Sequence, residues 1–227
     1  MCLILVAAGV HPDFPLIVAA NRDEYHARPT DAAQFWKAKP NLLAGRDREA
    51  GGTWMGVSRN GRFAAVTNYR GGRDPGAAES RGLLVTRFLE GSDPAGEYVT
   101  GAERRGAAYS GFNLLADDGR ELWWCSNRDS AARHLPEGIY GLGNFLLDTP
   151  EVGEARERFA RAIEPGPAVE PLFEVLAASR ILSPEYGTRC ATVVFRSRNS
   201  RLHFAERPFD DSGAAGPTVR YEFTVDG

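Results

Sequence analysis

The chain opens on short apolar runs separated by polar turns. Residues 2–10 and 16–20 are apolar and β-capable, and the five residues between them, His11-Pro12-Asp13-Phe14-Pro15, carry two prolines. Proline pre-sets a turn and cannot donate to a strand ladder, so the pattern predicts a hairpin of two buried strands. Asn21-Arg22-Asp23-Glu24 follows at once. The second strand is expected to end there and deliver charge to its tip, beside the start of the first strand. A second hairpin is expected from 54–57 and 62–68, because Asn60-Gly61 between them is the strongest short turn signal. A third is expected from 113–116 and 121–125, and further strands at 138–144, 190–196, 201–206 and 220–225, with 211–216 as a flexible connector.

Helical spacing is confined to two blocks. Leu83, Leu84, Arg87 and Phe88 recur at helical intervals within 80–90, with Ser80 as the expected N-cap, and 97–105 continues the layer. The second block is 151–163 and 169–178, parted by Glu164-Pro165-Gly166-Pro167. Consecutive hairpins predict antiparallel sheets, and helices gathered in blocks argue against alternating βαβ units. With no repeat and no long linker, residues 1–227 are expected to form one domain. The expected class is α+β, a four-layer αββα sandwich.

Composition narrows the function. Of 227 residues 43% are hydrophobic and 25% charged, enough for a core that needs neither a disulfide nor a metal. A net charge of −3 gives no global field for nucleic acid or acidic lipid, so neither is an expected partner. Three widely spaced cysteines are not a disulfide framework, and no pair has metal-site spacing. The opening M-C-L-I-L-V-A-A-G lacks the basic region of a signal peptide, and no apolar run approaches the ~20 residues of a membrane span. A cytoplasmic location is expected. No phosphate loop, G-x-G-x-x-G or H-E-x-x-H is present, so nucleotide and zinc chemistry are disfavoured and no cofactor is expected.

The chemistry-bearing candidate is Cys2. Removal of Met1 would leave it as residue one, where the α-amine, with a pKa near ~8, can take the thiol proton and let sulfur attack a carbonyl. The bland alternative, a small apolar residue beginning a buried strand, suits Cys125 and Cys190 as well. Arg22 and Asp23 would flank Cys2 at the hairpin tip, one favouring thiolate and the other orienting the ammonium. Asn68 and Asn144 each follow a strand, where an amide can donate to an oxyanion, and Arg189 enters a late strand. Taken singly, each of these is more often a turn-forming asparagine or a surface arginine. Trp54, Tyr69 and Phe145 are candidates to line a mouth for a flat or greasy ligand, although rim packing is the commoner use of such aromatics.

Several motifs occur together. They are M-C-L at the start, A-N-R-D-E-x-x-x-R-P at 20–29, G-G-T-W-M-G-V at 51–57 and G-R-F-A-A-V-T-N-Y-R at 61–70. They continue with S-R-G at 80–82, G-L-G-N-F-L-L-D-T-P at 141–150 and Y-G-T-R at 186–189. In these the chain resembles the NRDE-motif family, also called the transport and Golgi organisation protein 2 family, which is itself similar to cysteine N-terminal-nucleophile hydrolases. That resemblance implies Cys2 as nucleophile, Asp23 on the N-terminal amine with Arg22 nearby, Asn68 and Asn144 on the oxyanion side, and Arg189 as a late site arginine. One departure stands out. The hydrolases separate the early arginine from its aspartate by a few residues, whereas Arg22 and Asp23 are adjacent and on an extended segment point to opposite faces.

Two functions follow as expectations. One is hydrolysis of a small linear amide or acyl thioester. The other, also implied by the resemblance, is a non-catalytic carrier of haem or of acyl-lipid and acyl-coenzyme A. For haem the residues offer no C-x-x-C-H and no Cys-Pro, and the four histidines are scattered.

Overall fold

The computed structural model describes residues 2–71, 74–129 and 131–226. The strands are β1 (Leu3–Ala8), β2 (Leu16–Tyr25), β3 (Thr30–Trp36), β4 (Lys39–Asp47), β5 (Met55–Ser58), β6 (Phe63–Asn68), β7 (Phe112–Asp117), β8 (Leu122–Ser126), β9 (Arg133–Leu135), β10 (Gly138–Leu142), β11 (Tyr186–Arg196), β12 (Arg201–Pro208) and β13 (Val219–Thr224). The helices are α1 (Gly82–Glu90), α2 (Ala95–Arg104), α3 (Gly153–Ile163) and α4 (Val169–Ala177). They belong to two compact units, neither continuous in sequence.

The first unit takes the chain through Arg28, Glu137–Gly143 and Leu147–Val225. Its antiparallel sheet has the order β10-β1-β2-β11-β12-β13. Alternate residues of the central strands (Leu3, Leu5, Ala7, Ile17, Ala19, Ala191, Val193, Phe195) share a core with Phe159 and Ile163 of α3 and Leu172, Phe173 and Leu176 of α4. The residues between them, such as Ile4, Val6, Val18 and Val194, are buried too. Burial on both faces is why these strands read as unbroken apolar runs rather than alternating ones.

The second unit takes Pro29–Pro136, Asn144–Leu146 and Asp226. Its sheet runs β3 to β9 in sequence order, as a meander of antiparallel pairs. Leu42, Ala44, Ala64, Leu114, Ala116 and Cys125 pack with Leu84, Val85 and Phe88 of α1 and Val99 and Ala102 of α2. Each unit thus carries one sheet and one of the helix blocks legible in the sequence. The fold class is α+β, with two antiparallel sheets and four α-helices among the described residues. No helix among the described residues is long and apolar enough to cross a membrane.

The structure corrects several sequence expectations. The second strand does not stop at the charged motif: β2 continues to Tyr25, since β11 pairs with it as far as Tyr186. A neighbour on that side satisfies the ladder's backbone groups, so polar side chains do not end the strand. The β3–β4 hairpin and β9 were not anticipated from their mixed polar sequences. At α1, Arg81 rather than Ser80 occupies the N-cap position, in helical geometry and with no side-chain cap.

Two family motifs meet in the second unit. A Cβ built on Gly52 would lie 2.5 Å from the Gly82 carbonyl carbon, and Gly82 would in turn press on the Thr53 backbone at 3.0 Å. The glycines of G-G-T-W and S-R-G are there because two backbones touch.

Candidate functional site

β1 and β2 pair antiparallel from Ala8 opposite Leu16 to Leu3 opposite Asn21. That register brings Cys2, one residue before β1, to the Asp23 peptide. Cys2 Sγ accepts the Asp23 N–H at 3.4 Å and lies 3.4 Å from the Asp23 carbonyl, to which the thiol donates. Cys2 is only partly buried, while Asp23 and Arg22 are 4% and 6% exposed. Burial chiefly, and the Asp23 charge next, push the Cys2 thiol from 9.0 up to about 11, while the Asp23 N–H and the Arg22 charge pull it back.

Asp23 and Arg22 diverge, as their adjacency on a strand requires. Asp23 Oδ1 accepts a hydrogen bond from Thr188 Oγ1 at 2.6 Å. Arg22 lies opposite Cys190, and its Nη2 is 3.8 Å from Glu24 Oε2 on the same side of β2. The Arg22 charge lowers the Cys2 thiol, and the Asp23 main chain touches the sulfur directly.

Arg189 sits at a bulge in the β2–β11 pairing. Its Nη1 donates to the His26 carbonyl at 2.6 Å and stands 3.8 Å from Asp211 Oδ1. The guanidinium ties down the loop that follows β2. Two residues not singled out by sequence reasoning also reach Asp23. One is Thr188; the other is Tyr186, whose hydroxyl donates to the Asp23 carbonyl at 3.1 Å. Both stand in the Y-G-T-R motif, the one local signal for them. Asn21, the first letter of the charged motif, donates from Nδ2 to the Leu176 carbonyl at 2.9 Å, fastening α4 to β2.

The remaining candidates belong to the second unit. Asn144 Nδ2 donates to the Asn68 carbonyl at 2.7 Å, and the Asn144 carbonyl accepts the Arg70 N–H at 2.7 Å. The Asn144 amide is thus committed to backbone, whereas Asn68 is exposed at the end of β6. Tyr69 and Phe145 meet edge to face with centroids 6.5 Å apart. Beneath them the fully buried Asn113 donates to the Phe145 carbonyl at 2.7 Å and to Thr67 Oγ1 at 3.2 Å. Asn113 is a residue that sequence reasoning missed, because buried amides carry no pattern. The Trp54 indole crosses β4, close enough that a Cβ on Gly45 would fall 2.2 Å from its Cη2. It packs as a wall of that unit.

Cys125 and Cys190 are buried, and burial pushes both thiols above the ordinary range. Among the described residues no group of three or more His, Cys, Asp or Glu is placed to hold a metal ion.

A profile of the family described as "Transport and Golgi organisation 2" matches residues 1–184. The Transport and Golgi organization 2 homolog of Mus musculus is 32% identical over 274 residues, covering 99% of this chain and 99% of the relative, and the Homo sapiens homolog matches to the same extent. The Drosophila melanogaster protein of that name is 28% identical over 185 residues, covering 72% of this chain and 65% of its own length. Among solved structures, the Caenorhabditis elegans N-acylethanolamine-hydrolyzing acid amidase ortholog superposes with a TM-score of 0.55 at 15% identity, covering 85% of this chain and 92% of that one. At that identity the likeness shows the fold alone.

Proposed function

This chain belongs to the Transport and Golgi organisation 2 family, and from that premise we propose that it is a hydrolase of small linear amides or acyl thioesters in which Cys2, uncovered by removal of Met1, is the nucleophile. The observation that carries the reading is the seat of the Cys2 sulfur on the Asp23 peptide, with an N–H donor at 3.4 Å and the aspartate that supplies it almost fully buried. A thiol pushed up to about 11 is protonated at neutral pH and needs a base. The α-amine that Met1 removal places on the same residue is that base, with a pKa near ~8.

The chemistry balances without a cofactor. The amine takes the thiol proton, sulfur bonds to the substrate carbonyl carbon, and the tetrahedral adduct collapses to a thioester as the leaving amine or thiol departs with that proton. Water, deprotonated by the same amine, then attacks the thioester, releases the acid and restores the thiol. Asp23 orients the ammonium, and the Arg22 charge favours thiolate.

Intact-mass measurement first identifies protein lacking Met1. Turnover of a panel of linear amides and acyl thioesters is then compared for that protein, Cys2→Ala and Cys2→Ser. Loss of turnover in both variants with unchanged circular dichroism is the expected result. Turnover that survives Cys2→Ala, or none in Met1-free parent protein, overturns the proposal. Saturable haem or acyl-coenzyme A binding indifferent to Cys2→Ala would then mark a carrier.

A further inference from the structure

β11 addresses Asp23 with two side chains that the family resemblance leaves unassigned. Tyr186 and Thr188 are two residues apart, so on a strand they share a face. Thr188 Oγ1 donates to Asp23 Oδ1 at 2.6 Å and itself accepts the Ile181 N–H at 2.9 Å. A threonine hydroxyl has one proton, and here it is committed to the carboxylate. Tyr186 Oη donates at 3.1 Å to the Asp23 carbonyl, the same oxygen that receives the Cys2 thiol. Asp23 is held at its carboxylate by one residue and at its peptide oxygen by the other, while its N–H meets Cys2 Sγ.

The arrangement depends on the bulge. Thr188 lies opposite Asp23 and Cys190 opposite Arg22, leaving Arg189 as the extra residue between them. Had the register of the inner half of β11 continued outward, Arg189 would face Asp23 and Thr188 would face Glu24. A bulge re-aims side chains and is a recurrent device beside active sites. Here it trades a cation for a hydroxyl at the residue that touches the thiol, and it frees Arg189 to bind the His26 carbonyl.

We propose that Tyr186 and Thr188 are positioning residues that clamp Asp23 so that its peptide N–H stays aimed at the Cys2 sulfur. The inference rests on the reading of Cys2 as nucleophile, and its test does not require turnover. Burial and the Asp23 charge both oppose ionisation of Cys2, so the Asp23 N–H is one of the few groups favouring thiolate. Loosening that donor makes the sulfur slower to react.

The probe is iodoacetamide at fixed pH, with alkylation of Cys2 followed by peptide mass spectrometry, which separates it from Cys125 and Cys190. Thr188→Val removes the hydroxyl at nearly constant volume, Thr188→Ser restores it, and Tyr186→Phe removes the second grip. A lost hydrogen bond to a charged group corresponds to about a ten- to hundredfold slowing for Thr188→Val. Thr188→Ser is expected within about threefold of the parent, and Tyr186→Phe to slow alkylation by about three- to tenfold, as for a neutral hydrogen bond. If a substrate is turned over, Thr188→Val lowers kcat and leaves KM in place. Should Thr188→Val fail to fold by circular dichroism, Tyr186→Phe carries the test. Parental alkylation rates in the valine and phenylalanine variants overturn the clamp, as does a serine variant as slow as valine, which would make the effect one of packing. Hydroxyl-dependent alkylation in a protein that hydrolyses nothing would keep the clamp and sink the hydrolase. Cys2-dependent hydrolysis indifferent to both hydroxyls would do the opposite.

Discussion

Titrating Cys2 in protein that still bears Met1 reads the environment of the sulfur with no α-amine on the same residue. Burial and the Asp23 charge push the thiol from 9.0 up to about 11. At pH 8 a thiol at 9.0 is about 9% ionised and one at 11 about 0.1%, so the nucleophilic fraction is roughly a hundredfold smaller. The expected iodoacetamide rate at Cys2 is therefore about a hundredfold below that of a small-molecule thiol at pH 8, climbing about tenfold per pH unit to pH 11. Stability carries the same signature. The native thiol holds a proton that the unfolded chain releases between pH 9 and about 11, so unfolding becomes easier as pH rises through that window. Removal of Met1 moves the positive charge onto Cys2 itself and is expected to raise the rate at pH 8. A Met1-bearing protein that alkylates at pH 8 as fast as the free thiol, or levels off below pH 9, refutes the burial argument and with it the need for the α-amine as base.

Two further perturbations probe the second unit. Asn113→Ala removes both bonds from a fully buried amide and leaves the Phe145 carbonyl without its donor; about 2–4 kcal/mol of stability is expected to go, read by urea unfolding. An unchanged urea midpoint would show that the 144–146 segment is held otherwise. Gly52→Ala drives a methyl into the Gly82 backbone, where no rotamer offers relief, and is expected to cost about 1–3 kcal/mol in thermal unfolding. A melting temperature equal to the parent's would mean that the two backbones can part cheaply.

Much of the candidate site was readable because its parts are local. Cys2 and Asp23 could be brought together on paper, since a hairpin with a short turn returns the end of one strand to the start of the other, and the structure joins them through β1 and β2. Asn68 and Asn144 were placed singly at strand ends, and the structure joins them by one hydrogen bond that consumes the Asn144 amide. Arg189 was legible as a motif residue but not its partners, the carbonyl of His26 and the carboxylate of Asp211, which come from loops on either side of it in sequence. Asn113 left no trace beyond composition, and Thr188 stood in the Y-G-T-R motif with nothing local to mark its partner. A buried amide and a strand threonine are chosen by contacts made across tens of residues.

Sequence alone determined the hairpins over 2–20 and 54–68, the two helix blocks, and the presence of a thiol at the second position, because turn chemistry and periodicity are local properties of the chain. Tertiary structure alone decided the register of β11 on β2, and with it that Thr188 rather than Arg189 meets Asp23. Alternation assigns a residue to a face, but a one-residue slip reverses every assignment, and only pairing with a distant strand sets which alternative is adopted.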